Sequence, residues 1–428
     1  MTANERSTAA VTVDASKVAT VRRTNLGLLL RLLRDHGARS RSQIAMESGL
    51  PKATVSSLIG ELVERGLARE GAADRSKGVG RPGQSIEVDG HSICALGLEI
   101  NADYISALAL DLQGTEIFRT RRAVDVRELG PEPAMDAIAQ LIQEGTAAVG
   151  AQGVRVMRMC LATPGVVDAE TGTVVFAPNI GWRGTPVTEG LRARLGPSAP
   201  DLWVENDARL ASVAEHARLA TRGVTDLVLL TGEAGVASGI ITHGRPLRGH
   251  AGLAGEIGHA ALGLSDQPCP CGRVGCWETV VGLGALLSRV ADAGDPVRDP
   301  ARDLEERMAD VLRRAEGGDE RTLRALAETA GSLAHGVSIL ADVLNPQVLV
   351  LGGYFAYFGD YFIPAVRERL DARVMLPSFP MIEVTRSPLG FSAAAFGAAQ
   401  SALDAVFQDP TLVEAPSAPS SAGTRQPH

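Results

Sequence analysis

Between His259 and Glu278 the chain reads HAALGLSDQPCPCGRVGCWE, which sets His259, Cys269, Cys271 and Cys276 where four ligands can close around one metal ion. Nine residues separate His259 from Cys269, one separates Cys269 from Cys271, and four, Gly272 and Gly275 among them, lie between Cys271 and Cys276. The glycines let a short loop turn back so that its thiolates converge. Zinc favours four tetrahedral nitrogen and sulfur ligands, and a Cys3His set with no open position reads as a structural Zn2+ that braces a loop, not as a hydrolytic centre. Three of the five cysteines fall within eight residues. Cys94 and Cys160 sit in apolar runs and are expected to be core thiols.

A second chemistry lies near the N-terminus. In KATVSSLIGELVERG, after Pro51, the residues Lys52, Thr54, Ser56 and Ser57 form a polar leading turn, a cation and hydroxyls suited to phosphates and base edges. Arg41 and Ser42, at the head of the preceding helix, join them as candidate DNA contacts. The loop GAADRSKGVGRPG carries Arg75, Lys77 and Arg81 among glycines, and a flexible basic loop of this kind can enter a minor groove.

The elements that must position these side chains follow from periodicity. From Val18 to Asp35 the residues Val21, Leu26, Leu29, Leu30, Leu32 and Leu33 recur near helical spacing, with Gly37 as a stop. Ser40 is an N-cap for a short second helix through Ser48, and Val55, Leu58, Ile59, Leu62 and Val63 form the expected buried stripe of the third. LARE and QSIEVD then read as two strands flanking the basic loop. Residues 17–90 are therefore expected to form a winged helix-turn-helix.

Charge agrees with that division. Residues 17–90 hold thirteen Lys and Arg against eight Asp and Glu, although the whole chain carries a formal charge of −8. A basic module on a large acidic body suits operator DNA as a partner, because phosphate neutralisation needs local positive charge. With 428 residues the chain is too long for one ordinary core at ~150 residues per domain. The sequence shows neither an unbroken apolar stretch of about 18 residues nor a basic-then-apolar leader, so a cytoplasmic protein with reduced thiols and no membrane partner is expected.

Residues 91–405 open with ICALGLEI and YISALALDLQGTEI as a hairpin, with Gly114 turning toward another strand. Further strand-like runs, VRVMRMCLA, LWVE, DLVLLTG and QVLVLGG, alternate with helical stretches such as EPAMDAIAQLIQEGTAAV, which argues an α/β body. Residues 406–428, rich in Pro, Ser and Ala toward their end, are expected to be a disordered tail.

Taken together, the basic head with its GRPG wing, the Gly-rich turns and the Cys3His loop resemble the ROK family of repressors, open reading frames and kinases. Within it the likeness is to sugar-responsive repressors of the N-acetylglucosamine and xylose-operon type; the head also resembles MarR-like winged helices. The resemblance implies a two-lobed, actin-like, sugar-kinase (ribonuclease H-like) body. Position by position it implies sugar-binding residues at Gly165 in TPGVVD, Asn179 in APNIGW, Asn206 and Asp207 in VENDA, Glu256 and His259 in GEIGH, and Glu278. A polyol needs such carboxylate and amide partners held rigidly.

The phosphate side departs from the family's kinases. Their first turn, D-x-G-G-T, appears here as Glu99, Ile100, Asn101, Ala102 and Asp103, which would point Asp103 at phosphates. Their second, G-T-G-x-G-x-G, begins here Glu233, Ala234, Gly235. Phosphoryl transfer depends on cradling and neutralising phosphates, so losing both turns leaves Asp207, the kinases' base, vestigial. Gly352 and Gly353 in LGGY remain where those kinases contact adenosine. The expected function is a sugar-responsive DNA-binding regulator, a homodimer or homotetramer and not an enzyme, with an ATP-dependent sugar kinase carrying a regulatory head as the alternative.

Overall fold

The computed structural model describes residues 4–73, 84–263, 266–373 and 381–415. The head holds helices α1 (Asn4–His36), α2 (Arg41–Ser48) and α3 (Lys52–Glu64), with strands β1 (Arg39–Ser40), β2 (Ala68–Ala73) and β3 (Gln84–Val88) in the order β1-β3-β2. Ser40 caps α2 in a reciprocal capping box: its hydroxyl accepts from Gln43 N at 3.3 Å, while Gln43 Oε1 accepts from Ser40 N at 2.9 Å. Gly49, at φ +71°, ends the helix in the left-handed conformation.

The head differs from expectation in three places. Helix α1 begins at Asn4, well before Val18, because residues 4–17 contain neither proline nor glycine to stop it. Val21 and Val63 are exposed, at 60% and 37%, whereas Leu26, Leu29, Leu30, Leu33, Val55, Leu58, Ile59 and Leu62 are buried. The two valines fall off the stripe that a 3.6-residue period turns toward the core. Strand β1 adds a third member to the wing sheet that two residues of sequence cannot announce.

The body is built from two sheets with one plan. The first contains β4 (Ile93–Ile100), β5 (Tyr104–Asp111), β6 (Glu116–Ala123), β7 (Arg155–Thr163) and β11 (Asp201–Asn206), ordered β11-β7-β4-β5-β6. The second contains β12 (Leu227–Gly232), β13 (Val236–Thr242), β14 (Arg245–Pro246), β15 (Val348–Gly353) and β16 (Glu383–Arg386), ordered β14-β13-β12-β15-β16. In each, three strands meander antiparallel and the last two add in parallel beside the first. Strands β8 (Val166–Asp168), β9 (Thr173–Ala177) and β10 (Trp182–Thr185) form a small accessory sheet. β4 is buried at every position, the mark of a strand covered on both faces.

Helix α4 (Pro131–Gly150) covers the outer face of the first sheet, and α6 (Glu320–Leu344) packs on α7 (Gly359–Asp371) beside the second. Between the sheets lie α5 (Asp207–Ala220) and α8 (Ala393–Gln408). Their approach is set by absent side chains. A Cβ on Gly97 of β4 would stand 2.0 Å from the carbonyl oxygen of Ala395 in α8, and one on Gly397 would stand 1.9 Å from that of Leu210 in α5.

Helix α8 also carries the head. Arg31 donates to the Phe407 carbonyl at 2.9 Å, Arg34 pairs with Asp404 at 2.8 Å, and Arg65 donates to the Val413 carbonyl at 2.6 Å. Leu26, Leu30, Ile44 and Val55 of the head share one continuous apolar core with Ala398, Ala402 and Phe407. The expected tail is thus corrected at its start: residues 406–415 are ordered, with Val406, Phe407 and Val413 buried. The apolar Val-Phe pair gives α8 a face to dock, which the Pro- and Ser-rich composition further on conceals. Residues 416–428 lie outside the described residues.

Gly97→Ala is expected to push α8 off β4 and destabilise the protein by ~1–3 kcal/mol, the usual cost of overpacking. Denaturant unfolding of the variant beside the parent protein checks this; equal midpoints would refute the close approach.

Candidate functional site

A cleft of about 420 Å3 opens between the two lobes. All seven residues singled out from the sequence, Gly165, Asn179, Asn206, Asp207, Glu256, His259 and Glu278, line it. Gly165 follows β7 at φ +85°, and a Cβ there would meet the Phe176 carbonyl oxygen at 2.3 Å, so the turn requires glycine. Asn206 ends β11 and caps α5: its Oδ1 accepts from Arg209 N at 3.0 Å and its Nδ2 donates to the Gly165 carbonyl at 3.0 Å. Its amide therefore holds the turn as well as lining the cleft. Asp207 is the first residue of α5 and accepts from Ala208 N at 2.6 Å.

His259, Cys269, Cys271 and Cys276 present one ligand atom each, all within 4.8 Å of one another. Metal–thiolate bonds of ~2.3 Å put the corners of a tetrahedron roughly 3.8 Å apart. Cys271 Sγ lies 3.7 Å from Cys276 Sγ, and Cys269 Sγ lies 3.6 Å from His259 Nδ1, so the cluster fits a tetrahedral ion. The other edge of the ring, Nε2, faces Glu256 Oε2 at 3.9 Å. Cys269 N donates to the Arg273 carbonyl at 2.8 Å to form the loop's tight turn, and Glu278 Oε1 accepts from the Cys269 thiol at 2.8 Å. Buried Trp277 ties the loop to α6: its Nε1 donates to the Ser332 carbonyl at 3.2 Å, and a Cβ on Gly336 would meet its ring at 2.1 Å.

Carboxylates surround the cleft floor. Burial lifts Glu99 to about 8, with neighbouring Asp207 adding to the rise and the Tyr104 hydroxyl, 2.8 Å away, opposing it. Burial likewise lifts Asp207 to about 6 and Glu256 to about 7, the latter helped by Asp207 and Glu278. Glu233 is raised by burial and by the charges of Glu99 and Asp207. Asn101 Nδ2 donates to Glu233 Oε2, joining the β4–β5 turn of one lobe to the β12–β13 turn of the other.

One expectation fails here. Asp103 does not face the cleft: its Oδ2 pairs at 3.0 Å with Arg307, a buried guanidinium from the second lobe. Gly352 and Gly353 end β15 and are not among the cleft residues. Sequence reading missed the roles of Asn101, of Arg209, which pairs with buried Glu205, and of Arg248, 2.5 Å from the same carboxylate. Only VENDAR, with an acid four residues before an arginine, carried a local trace of the Glu205–Arg209 pair.

On the head, Ser42, Lys52, Ser56 and Ser57 are exposed, and Thr54 is half-buried. Arg41 is engaged with Glu70 at 2.7 Å. Arg75, Lys77 and Arg81 lie outside the described residues. Among the described residues no helix is long and apolar enough to cross a membrane.

Residues 95–405 match the ROK family, and residues 25–71 match the IclR helix-turn-helix domain. The chain is 27% identical over 385 residues to the xylose repressor of Caldicellulosiruptor bescii, covering 88% of this chain and 94% of that one. It is 26% identical over 374 residues to the DNA-binding transcriptional dual regulator NagC of Escherichia coli, covering 86% and 90%. Among solved structures, a ROK family transcriptional regulator described as a homolog of the E. coli MLC protein superposes with a TM-score of 0.72 at 23% identity, covering 92% of this chain and 98% of that one. A ROK family glucokinase from Streptomyces griseus, in complex with glucose and AMPPNP, gives 0.61 at 26% identity, covering 73% and 99%.

A carboxyl raised on folding holds its proton more tightly in the native state, so stability falls as pH rises from the unfolded to the folded value. For Glu99 that window runs from about 4.5 to about 8. The melting temperature is expected to fall across it, and Glu99→Gln to flatten the fall; an unchanged pH profile in the variant would refute the assignment.

Proposed function

The chain belongs to the ROK family, and from that premise we propose that it is a sugar-responsive, DNA-binding transcriptional repressor without kinase activity. The observation that carries the reading is one cleft lined by polyol-suited amides and carboxylates in a chain that also bears a helix-turn-helix, matched along nearly its whole length by xylose and N-acetylglucosamine repressors. In this reading the seven cleft residues bind the sugar, and Zn2+ on His259, Cys269, Cys271 and Cys276 fixes the His259 ring and the start of Glu278. When bound, zinc supplies a rigid cross-link and no reaction.

Lys52, Thr54, Ser56 and Ser57 enter the major groove, with Arg41 and Ser42 beside them and Arg75, Lys77 and Arg81 in the wing. A helix-turn-helix reads a half-site, which favours a homodimer or homotetramer on two-fold operators. A cytoplasmic location accords with reduced thiols at the metal cluster.

Coupling is supported by the contacts of α8. Glu99, buried behind the cleft acids, accepts a backbone hydrogen bond from Ala395 near the start of α8, and the far end of that helix holds Arg31 and Arg34 of the head. The connection between head and body at Gly90 is pinned on both sides, where Ser92 donates to the Gly66 carbonyl and Gln113 to that of Val88. The sign of the response follows from which arrangement the sugar binds more tightly.

Against phosphoryl transfer stand Glu233 at the second phosphate turn and its bridge to Asn101 of the first. Asp207 at the cleft favours the kinase alternative, and a coupled ATP assay with hexoses, pentoses and N-acetylhexosamines separates the two; turnover abolished by Asp207→Asn would overturn the repressor-only reading.

Duplexes selected from a random DNA pool provide the binding site for anisotropy titrations. Sugar is expected to shift DNA affinity in the parent protein, and Asn179→Ala to abolish the shift while leaving DNA binding intact. Lys52→Ala is expected to reduce the log–log salt slope by about 0.9, one phosphate contact. Cys271→Ser is expected to lose zinc by elemental analysis and to blunt the sugar response; a full response without metal would refute the bracing role.

A further inference from the structure

We propose that the effector is an unphosphorylated sugar, and that Glu233, latched to Asn101 across the lobes, is the residue that excludes sugar phosphates. The inference rests on the sugar reading of the cleft and specifies the charge class of its ligand. It starts from what a phosphate ester would meet. Asp207, Glu233, Glu256 and Glu278 all line the cleft, and Glu99 lies behind them, 1% exposed.

Among the described residues that line the cleft, Arg273 is the only lysine or arginine. The chain has only three lysines, Lys17, Lys52 and Lys77, all ahead of the body. Arg209 is buried against Glu205, and its Nη2 donates to the Gly252 carbonyl at 3.0 Å. Arg307 is held by Asp103, and Arg121 by Asp303 and Glu305. Arg273, at the exposed rim, hydrogen-bonds Cys271 of the metal cluster. His259 turns one nitrogen to the thiols and the other toward Glu256.

The latch adds a steric argument to the electrostatic one. Asn101 is 4% exposed; its Nδ2 donates to Glu233 Oε2 and its Oδ1 accepts from Asp103 N at 3.3 Å. Glu233 in turn is fixed by its own backbone, donating to the Gly235 carbonyl at 2.8 Å and accepting from Leu283 N at 3.1 Å. The two lobes are therefore joined at the cleft floor by a side-chain bridge that places the Glu233 carboxyl between the two turns, where an anion would have to sit. Neutral hydroxyls find hydrogen-bonding partners here, whereas a dianion finds four acids and a single arginine among the lining residues, so the hydration it loses is not replaced.

The test is calorimetric titration of the zinc-loaded full chain with D-xylose, D-glucose and N-acetyl-D-glucosamine, each beside its 5- or 6-phosphate. At least one free sugar is expected to bind, with its phosphate weaker by roughly a hundredfold or more, the cost of desolvating an anion without a counter-charge. Glu233→Ala is expected to narrow that ratio about tenfold, with Glu233→Gln, which keeps the latch and removes the acid, between the two. Because a ratio within one protein is read, a general loss of stability cancels. A phosphate that binds the parent protein as tightly as its free sugar overturns the inference and leaves the sugar reading standing, as does a ratio unmoved by Glu233→Ala for the role of that residue. Binding of neither class removes the sugar reading and the inference with it.

Discussion

The close contact of β4, α8 and α5 is the constraint on which the rest of the molecule depends. Two sheets of the same plan can share a pair of helices only if those helices nearly touch backbone to backbone, and Gly97 and Gly397, amid Ala394, Ala395, Ala398 and Ala399, permit it. Packing at interior density leaves no slack in such a stack. The turns that end β4, β7, β11 and β12 are thereby brought to one edge, where they form the cleft. The same helix continues past the sheets to Phe407, where it docks α1. Cleft and head are thus two ends of one rigid element, so a displacement of α8 at Glu99 has a direct mechanical path to the DNA-binding surface.

The cleft itself is organised by two kinds of cross-link. The loop that carries the Cys3His cluster is anchored by Trp277 against α6, and it supplies His259 and Glu278 to the cleft. The Asn101–Glu233 bridge fastens the floor between lobes. Between them lie carboxyls whose proton affinity is raised by burial, a cost the fold carries where it must present hydrogen-bonding groups to a polar ligand. A ROK family glucokinase superposes on this body, whose cleft presents Asp207 from one lobe and Glu233 from the other.

Much of this was readable before the fold. The three head helices, their order and the cap at Ser40 come from short-range signals, because a capping box and an amphipathic stripe are complete within a dozen residues. The metal cluster is legible for the same reason, its three thiols lying within eight residues. The cleft residues were found through family resemblance, not from spacing, since Gly165 and Glu278 are local features only of their own turns. What failed shows the limit: Val63 is apolar but off the stripe, and Phe407 sits in a segment whose flanking Pro and Ser read as tail.

The sequence by itself determined the local chemistry: which residues can ligate a metal, which helix can present a cation and hydroxyls, and that an acid stands in the turn after β12. Tertiary structure alone decided the partners. Asn101 meets Glu233 across 132 positions, Asp103 meets Arg307 across 204, and Arg31 meets Phe407 across 376. No periodicity or propensity spans such distances. They are fixed by which backbones can approach closely enough to stack, and that is a property of the packed core, not of any one segment.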